Sequence, residues 1–236
     1  MDRAMTLSEV MRYKGRVLPF DGKWKASFGQ PELGGVWIIY GQSANGKTHF
    51  AFQMAKYLAQ LDLRVAYNAL EQGVSESIKT AIYDTAALDV QRSFDFLNRF
   101  NSDQMAAYLE RQRSASAVFI DSVQDLVIKY DRDNNGSKLF DLIKHFNNQR
   151  RPSWADRRNP EAIERAKAGR KRRRVLFVIV SQADGNTLQT LMPSKSYART
   201  LLYDSDLKIK VFKFSAYNTG RFGGGEPFKI WENGDN

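Results

Sequence analysis

Eight residues, Gly41 to Thr48, read G-Q-S-A-N-G-K-T. Two glycines at either end of a six-residue span, the second followed by Lys47 and Thr48, fit the pattern of a loop that wraps phosphates. Glycine lets the backbone curl until successive N–H groups point at one centre. A helix that starts on the loop adds its positive end. Lys47 then reaches the outer phosphates as a cation, and the Thr48 hydroxyl faces a magnesium ion. The residues expected to touch the nucleotide are Gly41, Gln42, Ser43, Ala44, Asn45, Gly46, Lys47, Thr48 and His49.

Magnesium needs an acidic side chain, and Asp121 ends the apolar run AVFID. A carboxylate at the C-terminal end of a buried strand stands where open α/β sheets collect their ligands. A helix cap or a turn is the plain alternative for such an aspartate. Hydrolysis also needs a group that orients and polarises water. Glu71 directly follows the strand-like run Arg64–Leu70, 24 positions beyond Lys47. A carboxylate within reach of water acts as general base. The placement assumes that this strand lies beside the loop strand. A charge at a helix N-terminus is the alternative.

These residues need rigid elements to hold them. Val36–Tyr40 (VWIIY) reads as a buried strand leading into the loop, and Lys47–Leu61 as a helix with Phe50, Met54, Tyr57, Leu58 and Leu61 on one face. Arg64–Leu70, Ser93–Leu97, Ala117–Ile120 and Val175–Val180 read as further strands. Val74–Ala87, Asp103–Gln112 (Ser102 its cap), Leu139–Phe146 and Pro160–Gly169 read as helices. Leu207–Phe214 alternates, which predicts a half-buried strand with Lys208, Lys210 and Lys213 on its wet face. Phe228–Trp231 closes the sheet. Residues 1–34 read as a lead-in with one short helix, Leu7–Tyr13. Strands alternating with helices predict an α/β protein with a mostly parallel central sheet flanked by helices. The domain reading is a lead-in over 1–34, a core over 35–232 and a tail over 233–236.

The 236 residues carry a net charge of +10, unevenly. Between Arg150 and Arg174 lie eleven of the 36 Lys and Arg residues but three of the 26 Asp and Glu, so this segment alone carries +8. It reads as a basic insertion in the core, either a docking site for an acidic partner, most simply nucleic acid, or a solvated surface excursion. There are no cysteines and two histidines, which excludes disulfides, thiolate metal sites and multi-histidine metal sites. The longest strongly apolar run has six residues, and the first fifteen have no apolar core, so no membrane partner and a cytoplasmic location are expected. Trp154 among arginines suits either base stacking or anchoring of the segment.

GQSANGKT, the glutamate of ALEQG, the VFIDSVQDL strand and the VIVSQADGN strand occur in the order found in RecA-like P-loop ATPases. Over about residues 30–232 the chain resembles that superfamily, which includes the RecA and RadA proteins and the DnaB motor core. The resemblance implies that Lys47 and Thr48 bind the phosphates and Mg²⁺, that Glu71 is the catalytic base and that Asp121 is the metal-side acid. It implies that Gln182 senses the γ-phosphate. Tyr130–Ser137 and Asp184–Tyr197 match the two DNA-contacting loops, and the second contains Lys195. YNTGRFGGGEPFKIW is similar to the family element that reaches into a neighbour's nucleotide, with Thr219 and Gly220 interrupting it. Arg221 or Lys213 would then be the trans-acting finger of a homo-oligomer. Arg170, Lys171, Arg172, Arg173, Arg174 and Lys195 are the candidate DNA contacts. No zinc module or accessory DNA-processing region is recognisable, so the chain reads as a bare motor core.

Three functions fit these observations. One is an ATP- and Mg²⁺-dependent motor that hydrolyses ATP on single-stranded DNA. A second is a RecA-fold ATPase that regulates a protein partner. A third, a small phosphotransferase, fits the position of Glu71 least.

Overall fold

The computed structural model describes residues 4–133, 135–183, 200, 204–220 and 224–231. The β-branched and aromatic runs form a sheet: β1 (Val36–Gly41), β2 (Val65–Ala69), β3 (Phe94–Leu97), β4 (Ala117–Asp121), β5 (Leu176–Gln182), β6 (Leu207–Phe212), β7 (Ser215–Asn218) and β8 (Phe228–Lys229). Their order is β3-β2-β4-β5-β1-β6-β7-β8. The pairs from β3 through β6 are parallel, and β6-β7 and β7-β8 are antiparallel. The central strands are buried on both faces, as their unbroken apolar sequence requires.

Alternate residues build two cores. Trp37, Tyr67, Phe119 and Val178 face α2 (Gly22–Phe28) and α3 (Lys47–Gln60) on one side. Val118, Ile120, Phe177 and Ile179 face α5 (Ser102–Leu109) and α7 (Ser137–Asn147) on the other. Helix α8 (Pro160–Ala168) lies within the basic segment.

Some sequence expectations shift. The stretch before β1 holds a second helix, α2, whose Trp24 and Phe28 are buried with Leu18 and Phe20 in the first core. Asn101, rather than Ser102, caps α5, and its side chain accepts from the Gln104 N–H. The alternating strand stops at Phe212. Lys213 and Phe214 take positive φ (45° and 56°) and turn the chain back into β7, so Lys213 sits in a hairpin turn and not on a strand face. Trp154 is buried, and its indole N–H donates to Asp103 at 3.0 Å. It anchors the basic segment to the body. The second candidate DNA loop, with Lys195, and the finger candidate Arg221 lie outside the described residues.

Candidate active site

The parallel register brings the chemistry to one edge. Gly41 pairs with Gln182 across β1 and β5, Ala69 pairs with Asp121 across β2 and β4, and Asp121 pairs with Val180 on β5. All lie at the C-terminal ends of their strands, where α3 begins. A cleft of about 280 Å³ opens there, and Lys47, Thr48, Glu71, Asp121 and Gln182 all line it.

The loop has the backbone its glycines predict. Gly46 caps α3 at φ 89°, and a Cβ on it would stand 2.9 Å from the Trp231 ring. Gly41 has no room at all, because a Cβ would lie 2.2 Å from the Val211 carbonyl oxygen. Asn45 ties the loop to the hairpin by accepting from the Lys213 N–H at 3.0 Å. Lys47 Nζ donates to the Gln42 carbonyl at 2.7 Å, across the loop's mouth. Burial lowers the Lys47 pKa, against the pull of Asp121 and Glu71.

Asp121 is buried and receives two hydroxyl donors on one oxygen. Tyr67 donates to its Oδ2 at 2.5 Å and Thr48 at 2.9 Å. Burial raises the Asp121 pKa, and these two hydrogen bonds oppose it. The Thr48 hydroxyl and the Asp121 carboxylate are hard oxygen donors side by side, which suits magnesium. Among the described residues, no cluster of three or more His, Asp or Glu could cage a metal by itself.

Glu71 reaches the cleft by a route the sequence did not suggest. Strand β2 does not adjoin β1, since β4 and β5 lie between them. Instead the Leu70 and Glu71 N–H groups both donate to the Asp121 carbonyl (2.6 and 3.2 Å), drawing the chain across the end of β4. Glu71 is exposed at the rim. Partial burial of its carboxyl raises its pKa, helped by Asp121 and Asp125 and opposed by Lys47 and Lys129.

No family model and no curated protein matches the sequence. Solved structures do match. The chain is similar to the KaiC-like protein PH0186 of the hyperthermophilic archaeon Pyrococcus horikoshii OT3, with a TM-score of 0.53, 14% identity and 92% of each chain covered. It is also similar to the ATPase domain of a second protein, with a TM-score of 0.50, 14% identity, and 82% of this chain and 79% of that one covered. The fold is RecA-like.

Within this RecA-like frame the candidate residues divide into groups. Lys47, Thr48, Glu71, Asp121 and Gln182 meet in the cleft. His49 lines it too, but its Nε2 lies 3.1 Å from Asp84 and its ring 4.7 Å from that of Trp231. Lys213 stands beside the Gly41–Thr48 loop of its own chain, whereas Gly220 lies against the Lys208 backbone, near the other end of β6. Of the two finger candidates, only Lys213 lies among the described residues. Arg170–Arg174 precede β5, at the opposite sheet edge from the cleft. Two supporting residues escaped sequence reading. Tyr67 is an apolar-looking residue in mid-strand whose hydroxyl alone is polar. Gln124 brackets the end of β5, donating to Ser181 Oγ (2.8 Å) and the Gln182 carbonyl (3.2 Å). Its position three residues after Asp121 was the only available hint. No helix among the described residues is long and apolar enough to cross a membrane.

Proposed function

We propose that this chain is a magnesium-dependent ATPase that works on single-stranded DNA as a homo-oligomer. The observation that supports it most is the convergence of Lys47, Thr48, Glu71 and Asp121 on one cleft at the end of a parallel sheet. The ATPase domain among the structural neighbours supports the nucleotide part. The loop N–H groups and the α3 N-terminus would cradle the phosphates, with Lys47 leaving Gln42 to neutralise the outer ones. Magnesium, when held by Thr48 and through water by Asp121, supplies further charge neutralisation. Glu71 would orient water and accept its proton, which its raised pKa favours. Gln182, its strand end clamped by Gln124, would touch the γ-phosphate and relay its loss to the chain that follows. The basic residues Arg170–Arg174 would hold DNA phosphates.

The test is ATP turnover with and without single-stranded DNA across a salt series. Stimulation that fades as salt rises supports the reading. Turnover without any stimulation transfers it to a protein-directed regulator. No turnover and no nucleotide binding in folded protein ends it.

A further inference from the structure

The N-terminal stretch and the basic segment, far apart in sequence, form the two walls of one groove. The first wall is Arg12, Lys14 and Arg16, all exposed. It is pinned in place: Leu33 N–H donates to the Arg16 carbonyl at 2.7 Å, and Val17 bridges to Glu32. Gly15 permits the close pass, since a Cβ there would lie 2.5 Å from the Glu32 carboxyl carbon. The second wall is Lys171, Arg173 and Arg174. Arg172 N–H donates to the Gln149 carbonyl at 2.7 Å, and the Arg173 guanidinium donates to the Ser114 and Ser116 hydroxyls.

The groove between them has a volume of about 490 Å³ and a single carboxylate, Glu32. That carboxylate is already engaged, by Arg174 at 3.5 Å and by the Tyr13 hydroxyl at 2.5 Å. Arg12, Lys14, Arg16 and Lys171 make no ion pair among the described residues. Lys171 also lines a second depression of about 650 Å³, shared by Arg165, Arg170 and Arg172 and one carboxylate, Asp156. The result is a continuous basic track on fixed backbone. It lies where β1 and β5 begin, a strand length from the cleft where they end.

Concentrated like charge is costly until an anion with repeated charges relieves it. A phosphodiester chain supplies such a repeat. Leu33 is the one aliphatic side chain among the residues lining the groove, which gives a protein segment little apolar anchorage there. The groove does offer Tyr13, an exposed ring held by its hydroxyl, as a stacking surface for an unpaired base. We propose that this groove binds the phosphate backbone of a single-stranded nucleic acid on the side of the molecule opposite the nucleotide cleft. It deepens the DNA reading above and rests on it for the partner's class alone.

The experiment is fluorescence anisotropy of labelled oligothymidylate and oligouridylate with nucleotide-free protein over a salt series. Wild type is compared with the combined Arg12→Ser, Lys14→Ser, Arg16→Ser and Lys171→Ser variant. Affinity at low salt should fall about tenfold or more, and the log–log salt slope should flatten by about 0.7 per lost phosphate contact, roughly 2 to 3 in all. Arg12→Lys with Arg16→Lys should keep the wild-type slope. Should the combined variant not fold, Lys14→Glu with Lys171→Glu gives the same reading from two exposed side chains. The tighter of the two oligomers identifies the sugar. Unchanged affinity and slope overturn the proposal. So does equal displacement by polyglutamate, which assigns the groove to an acidic protein. The assay contains no ATP, so a negative result leaves the nucleotide site standing, and a failed turnover assay leaves the groove standing.

Discussion

Lys47 and Glu71 show how a residue's surroundings set its chemistry. Lys47 spends its Nζ on the Gln42 carbonyl at 2.7 Å, a bond that phosphate oxygens must replace. Glu71 has its pKa raised, chiefly by partial burial. A base must be ionised, so turnover should fall as pH drops through this raised value. The acid limb of kcat therefore lies above about 4.3, the unperturbed glutamate value. Glu71→Gln should bind ATP as wild type does while turnover falls about 10²- to 10⁴-fold, the usual worth of a positioned base. Loss of the acid limb in the residual rate would accompany it. Single-turnover kinetics over a pH series checks both, and near-normal turnover would remove Glu71 from that role. The strand, loop and helix around Gly41–Thr48 were legible in the sequence because their residues are contiguous and the pattern is local. The Tyr67 hydrogen bond to Asp121 was not, because it spans 54 positions and depends on which strands adjoin.

At the scale of elements, the strands whose apolar runs are unbroken could be read directly, and their order could not. Strand order is set by which crossovers pack best, and no local pattern records it. The hairpin turn was missed for another reason. Lys213 and Phe214 hold positive φ without being glycine or asparagine, so the usual turn signal is missing. By charge alone the basic segment fits either a docking site for an acidic partner or a solvated excursion, and in the structure Arg151 and Trp154 are buried and Trp154 packs on α7. That packing has a pH consequence. His145 of α7 lies against the Trp154 ring at 5.2 Å, and burial lowers its pKa to about 4, with Arg151, Arg157 and Arg172 adding repulsion. In the unfolded chain the group titrates near 6.5. Between those values the unfolded state takes up a proton that the folded state refuses. Stability from this site is full above about pH 6.5 and falls toward pH 4. His145→Gln should lack that part of the acid loss, so its melting temperature relative to wild type should improve by several degrees between pH 7 and 5. A constant difference across the series would remove His145 as the cause.

At the scale of the molecule, the sheet separates two surfaces: the cleft lined by Lys47, Thr48 and Asp121 where the parallel strands end and a basic track where they begin. The β6-β7 hairpin runs between these edges. Its turn touches the Gly41–Thr48 loop through Asn45, and its other end, at Thr219, returns to Lys208 near the start of β6. Gly220 lies there as well, and Arg221 is the next residue in the sequence. Strand β6 has six residues, which is about 20 Å of extended chain. The resemblance to RecA-like ATPases implies that Arg221 serves a triphosphate held by a second copy of the chain. Mixing tests this. Lys47→Ala protomers lack a working loop and keep Arg221, while Arg221→Ala protomers keep the loop. Each should be inactive alone. In a mixture, an intact loop meets an intact finger wherever an Arg221→Ala subunit faces a Lys47→Ala neighbour. Turnover should therefore reappear, approaching about one quarter of wild type for random pairing at equal amounts, because one in four interfaces then combines the two intact parts. Activity that stays at the level of the separate variants, in protein shown to co-assemble, would mean that Arg221 does not act across a subunit boundary.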